Sequence, residues 1–364
     1  MKFNLSKESL LKGLQMIQSV ISTHSTLPIL YNVLVKTEKN KLSLVATDLS
    51  ISMKYTMDAD APKACASTFQ ARRLLNIIRE LPDENVEIDI DDKDTAAIHC
   101  GSSAYKVLGL SADEFPPLPS FESARSFSME QAVLKEMLKK TAYAASADES
   151  RLMLNGILFS FKDQKLTMVA TDGRRLALIE QEMEIPGDAQ TDIVIPTKAV
   201  NELIKVLEDE GTVKIRVLTN LVSFDMGDVL VMTKLIDGNY PNFRQVIPSQ
   251  CDERVAVDRD SLHAALRRVA LMTNDKYPSI KISFEKNQMN ISAVTPDVGE
   301  AQESVPIKYS GKHIAMAFNP AFLMDPLRNL TSDEVSIELV DELSPAIIKC
   351  DIPFLYVLMP LRLS

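Results

Sequence analysis

Acidic side chains are the most numerous groups in this sequence that could bind a metal ion or take part in catalysis, since 50 Asp and Glu stand beside 4 His and 4 Cys. Two acidic runs, at residues 58–60 and 89–92, carry the carboxylates that Ca²⁺ and Mg²⁺ prefer as ligands. Neither run has the central glycine and the distal glutamate of a calcium-binding loop. We interpret both runs as solvated turns and predict no metal site.

A second candidate for chemistry is the triplet Ala-Thr-Asp, which occurs at residues 46–48 and again at residues 170–172. A carboxylate can act as a general acid or base, but no nucleophilic or basic side chain is repeated beside these two aspartates. An aspartate that accepts hydrogen bonds from its own turn explains both corners more simply. Phosphate-loop, nucleophile-elbow and zinc-protease motifs are also absent from the sequence. The sequence therefore predicts no catalytic residue, no cofactor and no enzyme.

The four cysteines are isolated from one another along the chain, and the histidines have no partners at metal-ligand spacing. His99 and Cys100 are neighbours on an alternating run, so their side chains should point to opposite faces of a strand. Scattered thiols are typical of a reducing compartment. No apolar run approaches about 18 residues, and the first residues do not read as a signal peptide, so we expect a cytoplasmic protein without a membrane segment.

The two Ala-Thr-Asp corners belong to a repeat that runs through the whole chain. Residues 29–55 and 152–180 share two alternating apolar runs around a charged turn, and Asp48 and Asp172 are 124 residues apart. A third, weaker copy occupies residues 279–303. A repeat of this length matches an ordinary domain rather than a solenoid unit. We predict three similar domains, at residues 1–120, 121–248 and 249–364.

Two amphipathic helices are predicted in each third, in the windows 7–21, 70–80, 129–146, 197–209, 259–273 and 319–330. In the first window Leu10 and Leu14 recur at helical spacing, and Ser6 is the expected N-cap. Ser128 and Gln131 form a capping-box pattern before the third window. Alternating runs between the helices predict antiparallel strands with one face in water. The predicted fold class is α+β, and each domain is a duplicated strand–helix–strands unit.

The charge of the chain is divided between these helices and the rest. The whole chain has a net charge of −10, which by itself argues against a nucleic-acid binder. The six helical windows, however, carry 14 Lys and Arg against 9 Asp and Glu, a net +5 that leaves −15 elsewhere. Helix propensity explains one basic helix, whereas a bias averaged over six equivalent helices favours a surface that attracts phosphates without sequence specificity. Aromatic residues do not interleave with the basic ones, so base stacking is not predicted.

Over essentially its whole length the chain resembles the bacterial sliding clamp, the beta subunit of DNA polymerase III. The resemblance rests on several motifs in the same order: Met1-Lys2-Phe3, Thr26-Leu27-Pro28-Ile29-Leu30, the two Ala-Thr-Asp corners, residues 171–177, residues 237–241 and residues 356–363. It implies a non-catalytic processivity factor, a head-to-tail homodimer that closes into a ring of clamp-type domains with helices lining the hole and antiparallel sheets outside. Edge strands near residues 100–110 and 270–290 would pair between subunits.

The resemblance also implies a cleft that takes short peptides of partner proteins. Carried over position by position, its residues are Arg151, Met153, Thr171, Gly173, Arg174, Leu176, Pro241, Val246, Asn319, Phe322, Leu343, Met359, Pro360, Leu361 and Arg362. Leu176 could equally be an ordinary core residue. Arg174 replaces the His that is often found after this glycine in the family, and Met153 and Phe322 stand where tyrosines are common. These departures concern the peptide preference rather than the presence of the cleft.

Partners follow from the same resemblance. The chain is expected to encircle double-stranded DNA and to bind the DNA polymerase III catalytic subunit, a clamp loader, translesion polymerases, mismatch-repair proteins and ligase. The residues expected to contact DNA are Lys12, His24, Arg72, Arg73, Lys139, Lys198, Lys205 and Arg268. His24 occupies a position where some relatives have an arginine that contacts DNA, so its contact would be weaker or would depend on pH. The alternative is a clamp-like, non-replicative scaffold that binds peptides but is not loaded on DNA.

Overall fold

A computed structural model gives the structure of the protein and describes residues 2–22, 25–274, 276, 278–296 and 298–362, with the side chain of Asp188 set aside. Each helical window of the sequence contains an α-helix. The bounds are Lys7–Ile17 (α1), Ala71–Glu80 (α2), Gln131–Thr141 (α3), Thr197–Val206 (α4), Arg259–Val269 (α5) and Pro320–Asn329 (α6). None of the helices in these described ranges is long and apolar enough to cross a membrane.

The chain forms two compact units, which we call the first and the second unit. The first unit comprises Met1–Lys135 and Asn201–Leu235, and the second comprises Glu136–Val200 and Ile236–Ser364. The boundary therefore passes through α3 and α4. The three domains predicted from the sequence, with boundaries at residues 120 and 248, are a different division of the same chain and remain a prediction.

The first unit contains two antiparallel sheets, with strand orders β1-β6-β7-β8 and β10-β15-β16-β17-β4-β3-β2-β5-β9. In the longer sheet β4 pairs with β17, so that Ile51 lies opposite Thr233 and Ser52 opposite Met232. The strand bounds are Lys2–Ser6 (β1), Asn32–Glu38 (β2), Lys41–Thr47 (β3), Ile51–Asp58 (β4), Cys65–Gln70 (β5), Asn85–Ile90 (β6), Thr95–Cys100 (β7), Ser103–Leu108 (β8), Leu110–Ser111 (β9), Arg125–Glu130 (β10), Thr212–Val217 (β15), Leu221–Asp225 (β16) and Val229–Lys234 (β17).

The second unit repeats this plan with strand orders β14-β11-β12-β13-β25-β24-β23-β18 and β21-β20-β19-β22. Here β13 pairs with β25, so that Arg175 lies opposite Leu358 and Leu176 opposite Val357. The strand bounds are Gly156–Lys162 (β11), Lys165–Thr171 (β12), Arg175–Glu182 (β13), Thr191–Pro196 (β14), Glu253–Asp258 (β18), Ile280–Glu285 (β19), Gln288–Thr295 (β20), Gly299–Pro306 (β21), Ile314–Phe318 (β22), Glu334–Leu339 (β23), Ala346–Lys349 (β24) and Phe354–Leu358 (β25).

The N-caps of the helices follow the sequence in part. Ser6 accepts a hydrogen bond from the Ser9 amide and caps α1, as predicted. The capping box predicted for α3 is wrong, because Ser128 belongs to β10 and pairs with β15. Gln131 instead begins the helix and its side-chain oxygen accepts from the Glu208 amide at 3.0 Å. Strand pairing has here displaced a local capping pattern.

Two of the edge strands bear on the expected pairing between subunits. β8 ends the four-stranded sheet of the first unit, in agreement with the expected edge near residues 100–110. The expected edge near residues 270–290 is wrong, because β19 lies between β20 and β22. The strand that ends this sheet beside β20 is β21, Gly299–Pro306.

Candidate functional site

The corner between β12 and β13 is fixed by its own hydrogen bonds. Thr171 Oγ1 donates to the Arg175 carbonyl at 2.6 Å and accepts from the Gly173 amide at 3.1 Å. Asp172 Oδ1 accepts from the amides of Arg174 and Arg175 at 2.8 and 3.0 Å. Gly173 has φ +86°, a left-handed conformation that a residue without a Cβ adopts at little cost. The interpretation of Asp172 as a structural turn residue is confirmed.

Behind the corner lies an apolar cluster that includes Leu176. This side chain is buried and packs with Leu158, Val169, Val194 and Val357. Partly buried side chains that cover the cluster include Met153, Tyr240, Phe243 and Ile247. Leu176 is therefore a core residue, Met153 is half-buried against the same cluster, and Pro241 is exposed.

The end of the chain continues the wall on the other side of the corner. The Met359 amide donates to the Arg174 carbonyl at 3.0 Å, and the Leu361 amide donates to the Ala317 carbonyl at 2.7 Å. Backbone pairing therefore holds the tail beside the corner and leaves the Met359 and Leu361 side chains exposed. Leu343 is 79 % exposed, which is unusual for a leucine that no partner covers.

The remaining cleft candidates make fewer described contacts with the corner. Arg151 lies near the corner, since a Cβ on Gly173 would meet its Nη1 at 3.7 Å. The Asn319 side chain caps α6 by accepting from the Ala321 amide at 2.9 Å. The structure shows that Val246, Leu343 and Arg362 are exposed and that Pro360 is half-buried.

Arg175 is a residue of the corner that the sequence analysis did not single out. Its guanidinium pairs with Asp172 at 3.0 Å and with Asp325 of α6, and it donates to the Tyr143 carbonyl at 2.6 Å. The same group lies 4.3 Å from the centre of the Phe322 ring. Arg175 thus joins the corner to α6 and contacts Phe322, one of the cleft candidates. The signal was available, because Ile51 occupies the equivalent position in the first copy of the repeat.

The charge of Arg175 is well supported by its surroundings. Burial lowers the pKa of the guanidinium, but the neighbouring Tyr356 and the hydrogen bond to Asp325 more than offset this, so the pKa lies above its ordinary value. Burial also raises the pKa of the Tyr143 phenol well above its ordinary value. The guanidinium of Arg175 is therefore a permanent cation of this network.

The residues expected to contact DNA all lie on helices, apart from His24, which is outside the described residues. Lys12 lies on α1, Arg72 and Arg73 on α2, Lys198 on α4, and all four are exposed. The other three are engaged by glutamates on the protein itself: Lys139 by Glu136 at 3.1 Å, Lys205 by Glu202 at 2.8 Å, and Arg268 by Glu303 at 2.7 Å. Ion pairing reduces the charge that these three offer to phosphates.

Exposed apolar side chains also lie on or near the two edge strands β8 and β21. On β8 Tyr105 and Leu108 are 41 % and 77 % exposed. In the second unit Leu271 and Val294 are 75 % and 72 % exposed, and Val294 lies on β20 beside the edge strand β21. Edges of this kind are suited to pairing with another chain. In the described part of the chain no group of three or more His, Cys, Asp or Glu is arranged to hold a metal ion.

Comparison with known proteins gives matches to one family along the full length of the chain. Profiles of the DNA polymerase III beta subunit match with the N-terminal domain at residues 1–119, the central domain at 128–242 and the C-terminal domain at 244–362. The beta sliding clamp of Chlamydia pneumoniae is 34 % identical over 363 residues, covering 100 % of this chain and 99 % of that one. That of Proteus mirabilis is 33 % identical over 371 residues and covers 100 % of both.

Solved structures give the same result. A DNA polymerase sliding clamp from Pseudomonas aeruginosa, crystallised with a ligand, is 32 % identical, superposes with a TM-score of 0.94 and is covered over 100 % of both chains. A sliding clamp from the same organism bound to griselimycin is 31 % identical, with a TM-score of 0.96 and the same coverage. The predicted α+β class with three clamp-type domains is confirmed by these matches. The chain belongs to the DNA polymerase III beta subunit family, the bacterial sliding clamps.

Proposed function

We infer that this chain is a processivity factor, a non-catalytic subunit of DNA polymerase III that encircles duplex DNA, slides along it and tethers the polymerase. The full-length family match supports this function and does not favour the non-replicative scaffold. Family membership likewise supports DNA, the polymerase and a second copy of the chain as partners. The experiment that tests the function is loading: with a clamp loader and ATP, the protein should stay on nicked circular DNA and leave after linearisation. Equal retention on both would contradict encirclement.

We propose further that partner peptides bind at the Thr171–Leu176 corner. The observation that supports this site is the pair of exposed apolar side chains, Met359 and Leu361, on a tail that the Met359 amide holds at the Arg174 carbonyl of the hydrogen-bonded corner. Apolar side chains of a peptide would be removed from water there, and the polar groups of the corner and of Arg174 would orient the backbone. The cleft residues that the family resemblance implies remain the proposed set, with Arg175 added as a positioning residue.

Anisotropy of a labelled peptide from the C-terminus of the polymerase catalytic subunit tests this site. Met359→Glu and Leu343→Ser should each weaken binding about tenfold or more, because each removes apolar contact area. Leu27→Ser is the matched control, since Leu27 is an exposed leucine of the first unit. Unchanged affinity in both cleft variants would contradict the assignment.

The proposed DNA contacts are basic residues of the helices, led by the exposed Arg72 and Arg73. Lys12, Lys139, Lys198, Lys205 and Arg268 complete the set. Since phosphate contacts release counterions, the Arg72→Ala/Arg73→Ala variant should reduce the slope of log affinity against log salt by about two. Arg79→Ala on the same helix is the control, because it removes one positive charge near the other end of α2. An unchanged slope in the double variant would exclude this face.

For the dimer we propose head-to-tail pairing of β8 on one subunit with β21 on the other. Two different edges meet in this arrangement, so it can close into a ring. Leu108→Asp should convert the dimer to monomer in sedimentation at micromolar concentration, whereas Leu152→Asp, also an exposed leucine, should not. The finer partners, namely a clamp loader, translesion polymerases, mismatch-repair proteins and ligase, and a cytoplasmic location are part of the same proposal.

A further inference from the structure

The first unit contains a pocket of about 200 Å³ beside the other copy of the corner, at Thr47–Ser52. The hydrogen bonds between the threonine and aspartate side chains and the turn backbone correspond in the two corners. Thr47 Oγ1 donates to the Ile51 carbonyl at 3.0 Å and accepts from the Leu49 amide at 3.1 Å. Asp48 Oδ1 accepts from the amides of Ser50 and Ile51, each at 2.8 Å. This is the arrangement described above for residues 171–176, displaced by 124 positions.

The walls correspond as well. The Lys234 amide donates to the Ser50 carbonyl at 2.9 Å, just as the Met359 amide donates to the Arg174 carbonyl. Lys234 therefore occupies the place of the exposed tail residue Met359. Pro117 lies 124 residues before Pro241, and it lines this pocket together with its neighbours Pro116 and Pro119. The pocket is thus built from the same three parts as the proposed peptide site: corner, strand end and proline segment.

Leu49 gives an independent reason to regard this pocket as functional. It has φ +74°, in the left-handed region where the equivalent residue of the other corner is Gly173. A branched, bulky residue in this conformation is strained, and such strain is typically retained where the side chain is needed. Leu49 is 44 % exposed and lines the pocket. The turn has therefore kept an apolar side chain in a position that favours glycine.

The chemistry of the lining differs from that of the other site. Ser52 stands in place of the buried Leu176, and its hydroxyl lies 2.8 Å from that of Thr47. Lys234, which is exposed, is the charged residue among those that line the pocket. Leu49, Leu221, Met232 and the prolines supply apolar wall, and Thr47, Ser50, Ser52 and Thr233 supply hydroxyl groups. An occupant should therefore combine an aliphatic side chain with a carboxylate.

We propose that this pocket is a second docking site, which takes a short acidic peptide segment of a partner protein, with a leucine-like side chain against Leu49 and Met232 and a carboxylate beside Lys234. The proposal rests on the proposed function of the Thr171 corner, because the peptide class is inferred from that equivalent site. Two partners could then occupy one subunit without competing for one cleft.

A displayed library of random decapeptides, selected on the full-length protein, tests the proposal. Sequences that join an aliphatic residue to Asp or Glu should be enriched on the wild-type protein and lost on Lys234→Glu. Lys54→Glu is the matched control, since Lys54 follows Ser52 by two residues on β4 and is not among the lining residues. Leu49→Gly provides a second variant that keeps the turn, because glycine occupies this position in the other corner.

Methyl spectra of the methionine-labelled protein then distinguish the two sites, since Met232 reports the new pocket and Met359 the peptide site. Selected peptides should shift Met232 in a saturable way, and Lys234→Glu and Leu49→Gly should each weaken this binding about tenfold. A polymerase C-terminal peptide should shift Met359 and leave Met232 unchanged. If no sequence depends on Lys234, or if selected peptides shift only Met359, the second site is wrong while the first stands. If the polymerase peptide fails to shift Met359, the first site is wrong.

Discussion

Arg175 is the residue whose replacement should reveal most about how the cleft is held. In Arg175→Met the chain of similar length keeps its packing, but the guanidinium that pairs with Asp172 and Asp325 is lost. The Arg175 side chain is 10 % exposed, and the two carboxylates are 16 % and 23 % exposed. Asp172 would then lose this cation in a partly buried site, and Asp325 would keep Arg328, whose Nη1 lies 3.8 Å away.

The magnitude follows from this burial. Removal of one partner from a fully buried ion pair costs about 3–5 kcal/mol, and the residual exposure of the two carboxylates places this case near the lower end, at about 3 kcal/mol. Loss of the contact with the Phe322 ring adds about 0.5–1 kcal/mol. Lys162→Met is the control, because Lys162 and Asp192 form an ion pair of the same unit with side chains 45 % and 46 % exposed. That exposed pair should contribute less than about 1 kcal/mol.

Urea unfolding at one fixed protein concentration is the assay, since the stability of a dimer depends on concentration. Arg175→Met should lower the free energy of unfolding by about 3 kcal/mol, and Asp325→Asn added to it should restore about 1–2 kcal/mol by removing a partly buried charge that has lost its nearer cation. The reasoning is refuted if Arg175→Met costs no more than Lys162→Met, or if the effects of Arg175→Met and Asp325→Asn simply add. Peptide anisotropy on the same variants shows whether the held position of Phe322 matters for binding.

Three further predictions concern other parts of the chain. Burial raises the pKa of Glu136, but hydrogen bonds from Lys140 and Lys139 outweigh this and hold the pKa below the usual 4.5. The stability that the wild type has over Glu136→Gln should therefore be fully present above about pH 5. In acid unfolding this difference should vanish as the pH falls through the pKa that Glu136 has in the folded protein. The same Glu136→Gln variant should bind duplex DNA more tightly at low salt, because it releases two ammonium groups, and unchanged binding in electrophoretic shifts would exclude α3 from the interface. Gly109→Ala should destabilise the first unit by about 1–3 kcal/mol in thermal unfolding, because a Cβ would lie 2.4 Å from the Thr68 carbonyl oxygen and 2.6 Å from that of Asp94. Gly187→Ala is the control, since a Cβ on Gly187 would meet open space and the change should be neutral or stabilising.

Much of the fold was predictable because its signals are local. The helical windows contain α1 to α6, since each has an apolar stripe that one face of a helix can bury. The errors have a common cause in long-range pairing. β10 extends to Glu130 because it pairs with β15, which shortens the predicted third helix and replaces its capping box. β19 is an inner strand because β22, some 30 residues later, covers the side that was expected to be free.

The candidate site was predictable to a smaller degree. Its corner is a local motif, and the exposed tail was indicated by the family resemblance. The Arg175 network was not predictable from spacing, because its partners Tyr143, Asp172, Phe322 and Asp325 come together only when β13 pairs with β25 and α6 packs nearby. No periodicity in the sequence relates residue 143 to residue 325.

The internal repeat separates the residues that build a corner from those that give it a function. Thr and Asp form the same hydrogen bonds at 47–48 and 171–172, so these two positions follow from the turn itself. The positions that differ are 49 against 173, 50 against 174, 51 against 175 and 52 against 176. In the second unit the changes supply a glycine turn, a buried cation and an apolar floor, and in the first unit they supply a strained leucine, an aliphatic strand residue and a hydroxyl. Since the backbone frame is the same, a difference in ligand chemistry between the two pockets must arise from these side chains and from the walls that face them, Lys234 in one and Met359 in the other.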